Sequence, residues 1–210
     1  MKKIKISLFL IVISLISSHI TLNAKNSQFK RISLGEDTAS VIIYEFASLS
    51  CVHCARFNSE VISLINENYV KKGLVKIIFI DVPFGSDANL FAHSLLYQTK
   101  DTEQFIKLLD TLFANQQIWM SDSNPQQAVS RYARLVGLSN ESIDKAKEDI
   151  NLQNWLKEDS MALLKQLNIQ GTPSLVIAKK GSPISFSSNK KLEGYQSYDE
   201  IKAVINEFIE

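Results

Sequence analysis

Two nearly continuous apolar runs with one helical pattern between them restrict the fold of this chain more than any other feature. Val41-Ile42-Ile43-Tyr44-Glu45-Phe46 is β-branched, aromatic and almost wholly apolar, which predicts a buried strand. Leu74–Asp81 (LVKIIFID) has the same character. Between them Phe57, Val61, Leu64, Ile65 and Tyr69 recur at helical spacing and give one apolar face. Lys71-Lys72-Gly73 then supplies last-turn cations and a glycine free to take positive φ. Strand, helix, strand is a βαβ unit, whose crossover is almost always right-handed. A further short strand is expected near Phe29–Leu34.

Residues 86–168 change character. Helix starts are marked by Asp101 with Gln104, by Asn124 before Pro125 and by Ser139 before Asn140-Glu141, and Gly137 reads as a C-cap. About five helices fit here, and no strand-like run interrupts them. The β pattern returns after Gly171-Thr172-Pro173 with Ser174–Ala178, followed by a partner strand at Ile184–Phe186 or around Leu192. A capping box, Ser197 with Glu200, opens a final helix whose face is Ile201, Val204, Ile205 and Phe208. The expected architecture is α/β: a central β-sheet with flanking helices, interrupted by an all-helical insertion. The expected divisions are residues 1–24, 25–85, 86–168 and 169–210, the second and fourth forming one domain around the third.

The first division reads as an export signal. Lys2, Lys3 and Lys5 precede the apolar run ISLFLIVISLI at residues 6–16, and Leu22-Asn23-Ala24 ends on a small residue. Cleavage is expected after Ala24; an uncleaved anchor is the competing reading, but the run falls short of the ~20 apolar residues of a spanning helix. Without those lysines the charge balance falls from 23 cations against 22 acids to 20 against 22. A mildly acidic body argues against nucleic acid as a partner, because phosphate binding needs a concentrated basic face. The predicted location is an oxidising compartment, the periplasm.

In such a compartment Cys51-Val52-His53-Cys54 is the sharpest signal, and Cys51 and Cys54 are the only cysteines. The spacing predicts a helix opened by Cys51, with both sulfurs on one side of its first turn. With Ser50 as the cap, Cys51 would meet unpaired N–H groups and the positive end of the helix dipole, and His53 would add a second stabilising donor or charge. Such surroundings bring a cysteine pKa from ~8.5 into the range ~3.5–7.5 and favour the reduced form, which makes the pair oxidising. A metal half-site would need ligands beyond His53 and His93, a zinc ribbon is not expected, and haem attachment needs His where Ala55 stands. A purely structural bridge would close a tiny loop and contribute little stability.

Three further positions fit a redox site. Glu45 is one acid in an otherwise apolar strand; buried, it would have a raised pKa and could exchange the proton of Cys54. Thr172 and Pro173 stand just before a strand, where a cis proline leaves a neighbouring carbonyl free for an extended peptide. His93 lies beside Phe91 and Leu95 on an apolar helix and reads as a core or surface histidine without a role. Trp119 and Trp155 read as packing of the helical block.

The signal segment, Tyr44-Glu45-Phe46, Cys51-Val52-His53-Cys54, the helical block, Gly171-Thr172-Pro173-Ser174 and the last helix together resemble the DsbA-like thiol–disulfide oxidoreductases, thioredoxin folds with a helical insertion. The resemblance implies Cys51 as nucleophile, Cys54 as resolving thiol, His53 as tuner, Glu45 as buried acid, and Thr172-Pro173 as the substrate-facing loop. It implies reduced exported proteins as substrates, reoxidation by a quinone-linked DsbB-type membrane partner, and no cofactor or metal. Threonine before the proline is also typical of isomerase and reductase branches, so a periplasmic isomerase or reductase is the alternative, and a non-catalytic binding or chaperone module a further one. Lys25–Ser40 is too short and polar to build the added N-terminal domain through which isomerases dimerise, so a monomeric oxidase is expected.

Overall fold

The computed structural model describes residues 29–184 and 189–209. The export signal and the Ala24 cleavage point lie outside them. Among the described residues five strands form one mixed sheet in the order β1-β3-β2-β4-β5: β1 Ser33–Leu34, β2 Val41–Ala47, β3 Val75–Asp81, β4 Ser174–Lys179 and β5 Lys190–Glu193. The two apolar runs are the parallel pair at its centre, in register from Val41↔Val75 to Ala47↔Asp81. β4 runs antiparallel to β2, and β5 antiparallel to β4 around Leu192. The alternative partner strand at 184–186 falls partly outside the described residues. β1, expected to be longer, pairs with β3 over only two residues.

The crossover from β2 to β3 is helical from residue 52 to residue 70. α1 (Val52–Phe57) and α2 (Ser63–Ile65) alternate with π-helical turns at Asn58–Ile62 and Asn66–Val70. This corrects one detail of the apolar face. Phe57, Val61, Ile65 and Tyr69 are buried, but Leu64 is 41% exposed, and Ile62 and Val70 are buried in addition. The i→i+5 turns widen each winding, so the buried positions recur at steps of four and five and the i+3 member is rotated outward.

Six helices, not about five, lie between β3 and β4 among the described residues: α3 Asp87–Leu96, α4 Thr102–Ala114, α5 Gln116–Ser121, α6 Pro125–Leu135, α7 Asn140–Glu148 and α8 Ile150–Gln166. The extra one is α5, which follows α4 with only Asn115 between them and has no side-chain cap to announce it. The marked caps form: Asp101 accepts from the Gln104 N–H at 2.8 Å, Asn124 from Gln127 at 3.1 Å and Ser139 from Ser142 at 3.1 Å. α9 (Tyr198–Ile209) opens on the reciprocal bonds of Ser197 and Glu200. Phe105, Leu108 and Leu112 of α4 share one buried cluster with Val41, Ile43 and Ile77 of the sheet. The helical block and the sheet therefore share a core. That common core fixes where α3 and α5 stand against the end of β2.

Candidate active site

β2 ends at Ala47, and the turn Ser48–Ser50 carries the chain into α1. The Ser48 carbonyl accepts from the Cys51 N–H at 3.1 Å, which closes the turn. Cys51 is itself the N-cap, with φ −90° and ψ 117°, and Val52 is the first helical residue. Ser50 does not cap the helix; its hydroxyl pairs with that of Ser48 at 3.1 Å. The reason is register: the carbonyl that accepts the first intrahelical bonds belongs to Cys51, which takes the Cys54 N–H at 3.0 Å and that of Ala55 at 3.1 Å. The anion position expected one residue into the helix is thus occupied by the cap side chain.

The two sulfurs are free thiols in contrasting settings. Cys51 is partly exposed and Cys54 is buried. The Cys54 thiol donates toward the Cys51 sulfur, and together with Thr172 and the backbone N–H groups of Cys54 and His53 it lowers the Cys51 pKa to about 5, against the opposing cost of partial burial. The Cys54 thiol is pushed far up, first by its bond to Cys51 and then by burial. A reduced pair of this kind holds one thiolate and one thiol at neutral pH.

Thr172 and Pro173 meet the cysteines from the other side of the sheet end. The Thr172–Pro173 peptide is cis. In the thiol form of Cys51 its Sγ–H donates to the Thr172 carbonyl at 3.3 Å, and the Pro173 carbonyl accepts from the Gly194 N–H at 2.9 Å. His53 is exposed, and its contribution to lowering Cys51 comes from its backbone amide, which any residue but proline would supply. Glu45 sits on β2, the central strand, paired with Phe79 on one side and Leu175 on the other. It is 1% exposed, its Oε2 has no hydrogen-bond partner among the described residues, and burial alone pushes its pKa up to about 8. With a strand paired on each side, β2 is not an edge strand and leaves Glu45 no face toward water.

Sequence reasoning missed what holds the turn. His93 of α3 is buried, and its Nε2 accepts from the Leu49 N–H at 3.1 Å. Gln116 of α5 donates to the Leu49 carbonyl at 2.7 Å, and Asn89 donates to the Ser48 hydroxyl at 3.2 Å. The available signal was a set of polar residues on otherwise buried helix positions. Among the described residues, no group of three His, Cys, Asp or Glu side chains gathers as metal ligands do.

A family model described as Thioredoxin matches residues 27–207. The chain belongs to that family, as a DsbA-like thiol–disulfide oxidoreductase. It is similar to disulfide bond formation protein D of Bacillus subtilis, with 27% identity over 186 residues covering 82% of this chain and 74% of the relative. A crystal structure of alpha-DsbA1 from Wolbachia pipientis, in a variant with two cysteines replaced by alanine, is 25% identical, covers 86% of this chain and 90% of that one, and superposes with a TM-score of 0.76. Oxidised BdbD from Bacillus subtilis shares the fold at 23% identity, a TM-score of 0.65, and coverage of 85% and 92%. This DsbA-like chain thus has its helical insertion between β3 and β4, and its CxxC after β2, the strand that lies between those two in the sheet.

Proposed function

We propose that this protein donates its Cys51–Cys54 disulfide to newly exported proteins. The observation that carries the reading is the contrast between the two sulfurs: Cys51 lowered to about 5, and Cys54 buried and held as a thiol. In the oxidised protein a substrate thiolate attacks Cys51 and expels the Cys54 sulfur, giving a mixed disulfide. A second substrate thiolate then attacks the substrate sulfur of that bond. Cys51 leaves as a thiolate, a good leaving group at its lowered pKa. Two electrons pass from the substrate dithiol to the cysteine pair, and the substrate gains a disulfide. The departing Cys54 sulfur needs a proton, and Glu45, protonated at neutral pH because burial raises it to about 8, is the acid assigned to supply it. In the reduced protein burial keeps Glu45 raised to about 8, so solvent restores its proton, and on reoxidation the Cys54 proton leaves to solvent.

Direction follows from the same contrast. Stabilising the reduced form raises the potential by ~30 mV for each ~1.4 kcal/mol, and near pH 7 about two pH units of the Cys51 shift count. The resulting ~60 mV is an upper figure, since solvent screens a half-exposed sulfur. His53 is assigned a supplementary tuning role, and the Thr172-Pro173 loop the contact with an extended substrate. The chain works as an exported monomer in the periplasm, released after Ala24 and reoxidised by a quinone-linked DsbB-type membrane protein. Among the described residues no helix is long and apolar enough to cross a membrane.

Thr172 beside both sulfurs favours a second reading, an isomerase or reductase. One paired experiment separates the two: oxidation of a reduced dithiol peptide against rescue of a scrambled substrate, with mass in solution and a Cys51→Ser control. A monomer that oxidises faster than it rescues supports the oxidase. A dimer or trimer with the reverse preference, or turnover that survives in C51S, overturns it.

A further inference from the structure

Leu49 stands two residues before Cys51 and is 1% exposed, yet it belongs to no strand or helix. A buried backbone outside regular structure must find partners for both its polar groups. At Leu49 both partners are side chains of the helical insertion: His93 of α3 at the N–H and Gln116 of α5 at the carbonyl. The turn that presents Cys51 is therefore gripped from outside the sheet that carries it.

The His93 end is built further. Because its Nε2 accepts from Leu49, the ring proton lies on Nδ1, and Nδ1 donates to Asp81 Oδ1 at 2.7 Å. Asp81 ends β3, opposite Ala47 of β2. Its Oδ2 accepts from the Tyr97 hydroxyl at 2.6 Å, and burial and Asp81 both push that phenol well above its ordinary value, so it stays a donor. Asp81 thus does for His93 what a carboxylate does in any oriented imidazole: it selects the tautomer. With the proton on Nε2, or on both nitrogens, an N–H would face the Leu49 N–H. Filling this space would need only an apolar side chain, and buried polar chains are costly unless every member is paired.

We propose that His93, oriented by Asp81 and Tyr97, is a positioning residue for the redox site: it holds the Leu49 peptide and thereby sets the orientation of Cys51 toward the N–H groups of α1. The charge–dipole attraction at a helix start falls off within its first turn, so a small displacement of Ser48–Ser50 takes the Cys51 sulfur out of it. The helical insertion then does more than extend the surface beside the site; it fixes the geometry that makes Cys51 reactive. The inference rests on Cys51 being the reactive sulfur.

Two buried polar substitutions separate positioning from packing. In His93→Gln the side-chain oxygen reaches the place of Nε2 and can accept from Leu49. In His93→Asn the amide reaches only the place of Nδ1, so Asp81 keeps a donor and Leu49 loses its acceptor. Each loses one bond, so unfolding stability does not distinguish them. The readout is the thiolate absorbance of Cys51 against pH in the reduced full chain. The expected result is a proton affinity raised about tenfold in H93N, about one pH unit, and within about twofold of wild type in H93Q. Equal shifts in both, a shift in H93Q alone, or none in either overturns the proposal. Should neither variant fold, nitrogen NMR of His93 in the wild-type chain decides: a protonated Nδ1 with a bare Nε2 supports it, and a protonated Nε2 overturns it. A wild-type Cys51 that titrates like a free thiol refutes the reading of the site itself, whereas a low wild-type midpoint that H93N leaves unmoved refutes only the role of His93.

Discussion

Glu45 gives the sharpest test of the site because its linkage to stability has a definite sign. Its pKa is raised from 4.5 to about 8 by burial, so between those values the folded protein binds a proton that the unfolded chain has released. Stability must then fall as pH rises through this window, by about 1.4 kcal/mol per pH unit. At pH ~5 the penalty is below about 1 kcal/mol, and near pH 7 it reaches the order of 3 kcal/mol. Glu45→Gln removes the titration and keeps the shape. The amide it buries costs about 1–3 kcal/mol at every pH if unpaired, so the slope carries the diagnosis and not the level.

Cys51 complicates the measurement in an informative way. Its pKa is lowered, so the folded reduced protein has released a proton that the unfolded chain still holds, and its contribution to stability grows as pH rises above about 5. In the reduced protein the two slopes oppose each other. In the oxidised protein Cys51 does not titrate and Glu45 stands alone. The assay is urea unfolding of oxidised wild type and oxidised E45Q from pH ~5 to ~8. Wild type should lose about 3–4 kcal/mol relative to the variant across that range, a midpoint displacement of roughly 1 M or more. Parallel curves for the two proteins would refute the buried-acid assignment, since a Glu45 that ionises at an ordinary value cannot hold a proton for Cys54.

Three further outcomes are expected. Alkylation of the reduced protein should label Cys51 with a midpoint near about 5 and leave Cys54 protected; labelling of Cys54 first, or a Cys51 midpoint near ~8.5, would reverse the assigned roles. His53→Ala should make the protein a weaker oxidant by at most tens of millivolts against glutathione, because the backbone amide beside Cys51 stays in place; a raised potential would show the ring opposing the thiolate. Leu112→Ala should cost about 2–5 kcal/mol in a single unfolding transition, since this fully buried side chain belongs to the core shared by insertion and sheet; two separate transitions would show that the block folds on its own.

The elements that were legible in the sequence are those whose signal is local. The strands of β2 and β3, the caps at Asp101, Asn124, Ser139 and Ser197, and the CxxC each depend on residues within a few positions of one another, and each forms. Where local signals ran out, the expectation slipped. Ser50 fits a cap by residue type, but the turn closed by Ser48 and Cys51 moves the helix start one residue on. Leu64 fits a helical face until the π turns rotate it outward. α5 carries no side-chain cap.

What could not be read is the pairing of buried polar groups, and that is where the site gets its support. Asp81 and His93 are 12 residues apart, Leu49 and His93 44, and Leu49 and Gln116 67. None of these separations has a helical or strand period, so neither spacing nor composition relates them. In the sequence alone, His93 on an apolar helix reads as a core or surface histidine without a role, because no partner lies at a local spacing. Once the shared core sets α3 and α5 against the end of β2, the same burial argues the other way. A buried histidine and a buried aspartate, with a half-buried tyrosine beside them, remain there only because each satisfies the next, and the chain of bonds ends on the turn whose geometry the redox chemistry depends on.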